Sequence, residues 1–201
     1  MRRGGWCCRM NECAAALIAG GRSRRMGTDK AFLDWGGRPL WVHQLEKLRA
    51  LGPSRVMVSC REDQAIPSKP DVLQVADAWL DCGPLGGVAS CLRVCDAPLL
   101  AVLGLDLPLL PVEFLNRLLD ECTDGCGAVI SLGGDYFEPL AAVYPRAMLA
   151  LAEEQIAAGR LAMQGFLRRG VELSLMRCVN VAAEAQWFTN VNTPGDLPAA
   201  G

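Results

Sequence analysis

The chain has 201 residues, 22 acidic against 20 basic side chains, a formal net charge of −2 and 51% hydrophobic residues. That balance excludes a disordered chain, and it excludes a protein that coats nucleic acid or an acidic membrane through bulk charge. The length suits one domain with a single well-buried core, so chemistry on anions must rest on charge placed locally.

Residues 1–9 read as a disordered N-terminal extension to a single domain over residues 10–201, with Met10 as an alternative start. Arg2-Arg3 ahead of the apolar run Ala14–Gly20 imitates a secretory signal. Cleavage there would sever the following glycines from their strand, so Ala14–Ala19 is read as the first strand of the domain. No stretch is apolar for long enough to span a membrane.

The strand runs into Gly20-Gly21, then Arg22, Ser23, Arg24, Arg25, Met26, Gly27, Thr28, Asp29 and Lys30. Glycines let the backbone turn sharply and approach a ligand, so that amide N–H groups can face anionic oxygens. The arginines and Lys30 bring mobile positive charge over the same spot. The loop suits phosphates, yet it has neither the GxxxxGKS/T spacing of a Walker loop nor a GxGxxG fingerprint.

Short apolar strands then alternate with helix-like segments, the pattern of a parallel sheet flanked by helices. Phe32–Trp35 and the Gly36-Gly37 turn lead to Pro39 as a first helical residue, with Trp41, Leu45 and Leu48 on one face and Gly52 at the end. Arg55–Cys60 and Leu73–Ala76 are the next strands, the second ending at Asp77. Gly83-Pro84-Leu85-Gly86-Gly87 reads as a turn opening into a helix over Val88–Val94. Leu99–Leu105 is a nearly unbroken apolar run, as a strand buried on both faces requires, and it ends at Asp106-Leu107-Pro108. Pro111 starts a helix with Val112, Leu115 and Leu118 on one face. Strands over Gly127–Leu132 and Tyr136–Tyr144, helices over Arg146–Ala158 and Leu161–Arg169, and a strand over Val171–Arg177 complete the pattern.

In open α/β sheets ligands bind at the carboxyl ends of the strands, where the Gly20 loop, Asp77 and Asp106 all fall. A carboxylate that ends an apolar strand beside a phosphate loop suits Mg²⁺, which takes one or two carboxylates together with phosphate oxygens. The single histidine, His43, lies in a helix and leaves no His-based metal cluster or nucleophile–His–Asp site. The ten cysteines are scattered without a CxxC pair and read as reduced thiols.

The string Ile18-Ala19-Gly20-Gly21-Arg22-Ser23-Arg24-Arg25-Met26-Gly27, completed by Lys30, resembles the nucleotide-binding loop of nucleotidyltransferases built on a Rossmann-like domain. Gly20, where many relatives have Ala, and the Asp29-Lys30 pair are similar to the molybdenum cofactor guanylyltransferase family. Gly104-Leu105-Asp106-Leu107-Pro108 resembles the family's G-x-D-x-P metal motif, with Leu107 in place of the more usual Met. Asp77 with Gly83–Gly87 resembles the segment lining its nucleotide pocket, and Glu138-Pro139-Leu140 through Tyr144-Pro145-Arg146 the segment before its acceptor-side helix. Phe188–Leu197 is similar to its N-x-N-T-P-x-D-L ending, while Ser59-Cys60-Arg61 stands where relatives often have an Asn.

The resemblance implies an α/β, three-layer, Rossmann-like nucleotidyltransferase of the nucleotide-diphospho-sugar transferase type, with a mostly parallel central sheet. It implies transfer of GMP from GTP to the molybdopterin-bound molybdenum cofactor, with Mg²⁺ as cofactor and pyrophosphate as leaving group. Ile18, Ala19, Gly20, Gly21, Lys30, Asp77 and Asp106 would bind the nucleotide. Arg25, Lys30 and Asp106 would be catalytic, with Asp106 on the metal. Asn190 and Asn192 would bond turns locally or reach the acceptor. The location implied is cytoplasmic, with transient contact to cofactor-insertion proteins or molybdoenzymes and none to nucleic acid or membrane. A sibling moving CMP to molybdopterin, or a nucleotide to a sugar phosphate, would share the loop and the metal aspartate. A non-catalytic module docking on cofactor-maturation partners would not need Asp106 or Lys30.

Overall fold

The computed structural model of the chain describes residues 13–20, 29–61, 63–64, 66–133, 136–181 and 185–188. Strand β1 (Cys13–Ile18) comes first; beyond residues 21–28 follow a 3-10 turn (Lys30–Phe32), two-residue strands β2 (Asp34–Trp35) and β3 (Arg38–Pro39), and helix α1 (Leu40–Ala50). Next are β4 (Val56–Cys60), β5 (Val72–Ala76), α2 (Gly83–Val94), β6 (Leu99–Gly104), α3 (Val112–Glu121), β7 (Gly127–Ser131) and β8 (Phe137–Pro145). Helices α4 (Met148–Ala157) and α5 (Met163–Glu172), strand β9 (Met176–Asn180) and a 3-10 turn (Ala185–Phe188) end the described chain.

Seven strands form one sheet in the order β5-β4-β1-β6-β8-β7-β9. All run parallel except β8, which is antiparallel to both β6 and β7. The expected mostly parallel sheet is therefore present, with one reversed strand in it. Every residue of β1 is buried, and alternate side chains serve opposite faces, as the pleat demands. Ala15, Leu17, Ala101 and Leu103 join the core under α1 and α3. Ala14, Ala16, Leu100 and Val102 join the core under α2, α4 and α5. Helices on both faces of the sheet make three layers.

The reversed strand matters most for the site. Because β8 runs against β6, its first residues arrive at the carboxyl end of β6, where Leu140 lies against Gly104. The β7–β8 register jumps there, from Val129 opposite Ala142 to Ile130 opposite Glu138, so β8 bulges over residues 139–141. The Tyr144 hydroxyl donates to the Pro139 carbonyl at 2.8 Å and pins the bulge.

Three local readings change. Pro39 pairs in β3 and caps α1 rather than opening it. Helix α2 begins at Gly83, not Val88, so Gly86 and Gly87 are helical residues at a close contact. A Cβ on Gly86 would stand 2.9 Å from the Trp79 carbonyl, and one on Gly87 2.8 Å from Ser59 Oγ. The expected strand over Val171–Arg177 is split, because α5 runs to Glu172 and β9 starts only at Met176. Ser174, with φ of 57°, turns the chain between them.

Candidate active site

At the carboxyl end of β1 the amides of Ala19 and Gly20 both donate to the Ser59 carbonyl, at 2.9 and 3.1 Å, which extends the β1–β4 ladder. The Gly20 N–H is thus engaged within the sheet. What Gly20 offers is a bare α-carbon, beside which Asp77 Oδ2 would lie 3.3 Å from any Cβ. Gly21 and Arg25, together with Asn190 and Asn192, lie outside the described residues.

Asp77, at the end of β5, reaches this spot because Ser59 Oγ donates to its Oδ1 at 2.7 Å. Burial raises its pKa, and the Ser59 hydrogen bond and the Arg61 charge oppose the rise. Ser59 therefore positions a carboxylate.

On the other side of Gly20, Asp29 caps the short turn carrying Lys30. Its Oδ1 accepts from the Ala31 amide at 3.0 Å and from Gln64 Nε2 at 3.2 Å, and that Gln64 amide also donates to the Ala19 carbonyl at 3.1 Å. Gln64 thus ties the end of β1 to the base of the Lys30 turn. Ile18, Ala19, Gly20, Asp29, Lys30, Leu105, Asp106 and Leu140 line one cleft of about 130 Å³. Five expected nucleotide-site residues (Ile18, Ala19, Gly20, Lys30 and Asp106) converge there, while Asp77, close to Gly20, does not line the cleft. Two larger grooves, of about 650 and 560 Å³, lie at the amino end of the sheet and between α4 and α5, away from these carboxylates.

Asp106 is partly buried, with its Oδ1 shut off from solvent. Its Oδ1 accepts no hydrogen bond from another residue, and burial raises its pKa against the opposing Lys30 charge. Glu138, brought in by β8, is buried too; its Oε1 accepts from the Leu140 amide at 3.2 Å. Burial, and after it the Asp106 charge, pushes Glu138 up to about 7. Burial disfavours the charged form of both carboxyls, and a cation bound beside them, in addition to Lys30, would offset that cost. Among the described residues no three His, Cys, Asp or Glu side chains cluster as a metal site.

Sequence reasoning left Glu138, Ser59 and Gln64 without a site role. Glu138 lies in the segment that resembles the family's acceptor-side stretch, and Ser59 in the place where relatives often have an Asn, which are their only signals; Gln64 carries none.

A glycine-ended strand, a lysine on the next turn and a buried aspartate at the rim of a parallel sheet define a nucleotide-binding α/β domain. The chain belongs to the family of the MobA-like NTP transferase domain, whose model matches residues 15–173. It is 38% identical over 187 residues to a protein of Opitutus terrae named "Probable molybdenum cofactor guanylyltransferase", covering 91% of this chain and 92% of that one. It is 33% identical over 187 residues to the molybdenum cofactor guanylyltransferase of Pseudomonas putida, covering 92% and 95%. In fold it is similar to molybdopterin-guanine dinucleotide biosynthesis protein A of Archaeoglobus fulgidus, with a TM-score of 0.71, 24% identity and coverage of 91% and 94%. A nucleotidyl transferase of Methanothermobacter aligns with a TM-score of 0.75 at 17% identity over 92% and 94% of the two chains.

Proposed function

We propose that the chain transfers GMP from GTP to the molybdopterin-bound molybdenum cofactor, releasing pyrophosphate and forming the guanine dinucleotide form of the cofactor. The observation that carries this is the convergence of Lys30 and Asp106 on the Gly20 cleft, in a chain whose relatives of that name match nine-tenths of its length.

The nucleophile is the terminal phosphate of the pterin, already an anion, so no general base is required; positioning and charge neutralisation supply the acceleration. The phosphate attacks the α-phosphorus in line and the bond to the pyrophosphate oxygen breaks. Gly20 lets the triphosphate close to the backbone, and the Gly21 amide cradles it. Arg25 and Lys30 offset the charge that builds on the α-phosphoryl oxygens and the leaving pyrophosphate. Asp77, held by Ser59, orients the nucleotide.

Mg²⁺ fits the residues present, because Asp106 Oδ1 is a buried hard oxygen donor with no partner from another residue. Bound there with the phosphates, Mg²⁺ would neutralise their charge and polarise them. The reading also carries a cytoplasmic protein that hands its product to cofactor-insertion proteins or molybdoenzymes. No helix among the described residues is long and apolar enough to cross a membrane.

The test is direct. Purified protein with Mg²⁺, the molybdenum cofactor and α-labelled GTP should transfer label to the pterin and release pyrophosphate, with CTP and ATP supporting it at least tenfold less. Ten- to hundredfold discrimination corresponds to roughly 1–3 kcal/mol. Equal use of the three nucleotides, or preference for CTP, would move the chain to a sibling activity.

A further inference from the structure

One turn of α1 holds both ends of the span that carries Asp106. Gln44 is fully buried and donates from Nε2 to the Gly104 carbonyl at 2.7 Å. Lys47 donates from Nζ to the Pro108 carbonyl, and His43 Nε2 stands 3.4 Å from the same oxygen. The spacing i, i+1, i+4 puts these three side chains on adjoining parts of one helix surface.

The same helix is fed by the segment that carries Lys30. The Leu40 amide donates to the Leu33 carbonyl at 2.8 Å, and the Trp35 ring lies 5.6 Å from that of His43. Helix α1 therefore adjoins the Lys30 turn at one end and grips the Asp106 span along its flank. Lys30 and Asp106 both line the cleft there.

Packing alone would not call for this. Leu45 and Leu48, on the same helix, meet the sheet as ordinary buried aliphatics. A buried amide and a half-buried ammonium are costly unless they are used. Gln44 Oε1 has no partner, so its burial is offset only by the bond to Gly104. Burial draws Lys47 down to about 8, and among the described residues its one hydrogen bond is to Pro108.

We propose that Gln44 and Lys47 are positioning residues for the transfer reaction, holding the Gly104–Pro108 span so that Asp106 faces the cation and the nucleotide at a set distance from Lys30. The inference rests on the reading of Asp106 as the cation ligand. It makes a prediction that charge alone would reverse. Removing the Lys47 ammonium takes a positive charge from the neighbourhood, which by Coulomb's law should tighten cation binding. Loss of the clamp should weaken it.

The experiment uses the full chain loaded with a non-hydrolysable GTP analogue and titrated with Mn²⁺, the free ion being read by electron paramagnetic resonance. Gln44→Met and Lys47→Met should each weaken Mn²⁺ binding at least fivefold, with analogue affinity in the absence of metal unchanged. Lys47→Arg, which restores a donor, should return binding to within twofold of the parent. Unchanged or tighter Mn²⁺ binding in the Met variants overturns the clamp. Should Gln44→Met fail to fold, the Lys47 pair decides alone, since that side chain is only half-buried. Asp106→Asn separates the two readings. If it binds Mn²⁺ like the parent, the cation assignment falls and the clamp with it. If it loses Mn²⁺ while both Met variants keep it, the clamp alone falls.

Discussion

Asp106 turns its Oδ1 back over Gly104, into the space that any side chain at Gly104 would fill, and Leu140 closes the same space from β8. The glycine of Gly104-Leu105-Asp106 is there so that the carboxylate two residues on can fold over it. A methyl group at Gly104 would meet Asp106 Oδ1 on one side and Leu140 Cβ, fixed to the backbone of β8, on the other, so rotating the Asp106 side chain alone would not accommodate it. Gly104→Ala should therefore displace Asp106 and cost about 1–3 kcal/mol of stability through overpacking. Thermal melting together with turnover at saturating Mg²⁺ checks this; parent values for both would show that the space is not constrained.

Asp106→Asn keeps the shape of the side chain and removes its charge. Burial disfavours that charge in the free protein, so the variant should fold at least as well as the parent. Nucleotidyl transfer should fall by several orders of magnitude, most severely at low Mg²⁺. Near-parent turnover at low Mg²⁺ removes Asp106 from the metal.

Lys30 adjoins Asp106 and lines the cleft, and its help should grow as charge develops on the leaving pyrophosphate. Lys30→Ala should lower kcat more than it raises KM for GTP. A raised KM with unchanged kcat would assign Lys30 to ground-state binding alone.

Glu138 gives the protein a pH dependence of definite sign. Its pKa is raised in the folded state from 4.5 to about 7, so the folded protein binds that proton more tightly than the unfolded chain. The stabilisation is fully present below the unfolded value and is lost as pH rises through about 7. A shift of that size corresponds to on the order of 3 kcal/mol. Glu138→Gln should match the parent near pH 4.5, exceed it at pH 8, and leave a shallower slope of the same sign from Asp106, whose pKa is also raised. Denaturant titrations at the two pH values measure this; equal slopes would show that Glu138 ionises freely in the fold.

Much of the site could be read from the chain because its key parts are local. The loop at Gly20 and the carboxylate at Asp106 each directly follow an apolar strand, and a strand's carboxyl end is fixed by chain direction alone. The glycine- and arginine-rich string after β1 is contiguous in sequence, and so is the Asp29 cap that carries Lys30 beside it. What could not be read depends on which strands become neighbours. A strand buried on both faces is apolar at every position, so its residues carry no record of its partner or its direction. Only the reversal of β8 brings Glu138 and Leu140 to the rim where β6 ends, and only the side-by-side placing of β4 and β5 lets Ser59 hold Asp77. The glycines divide the same way. Gly52 ends α1 with φ of 64°, a requirement of local backbone geometry. Gly87 and Gly104 are small because a distant segment lies against them, and that contact exists only once the layers have packed.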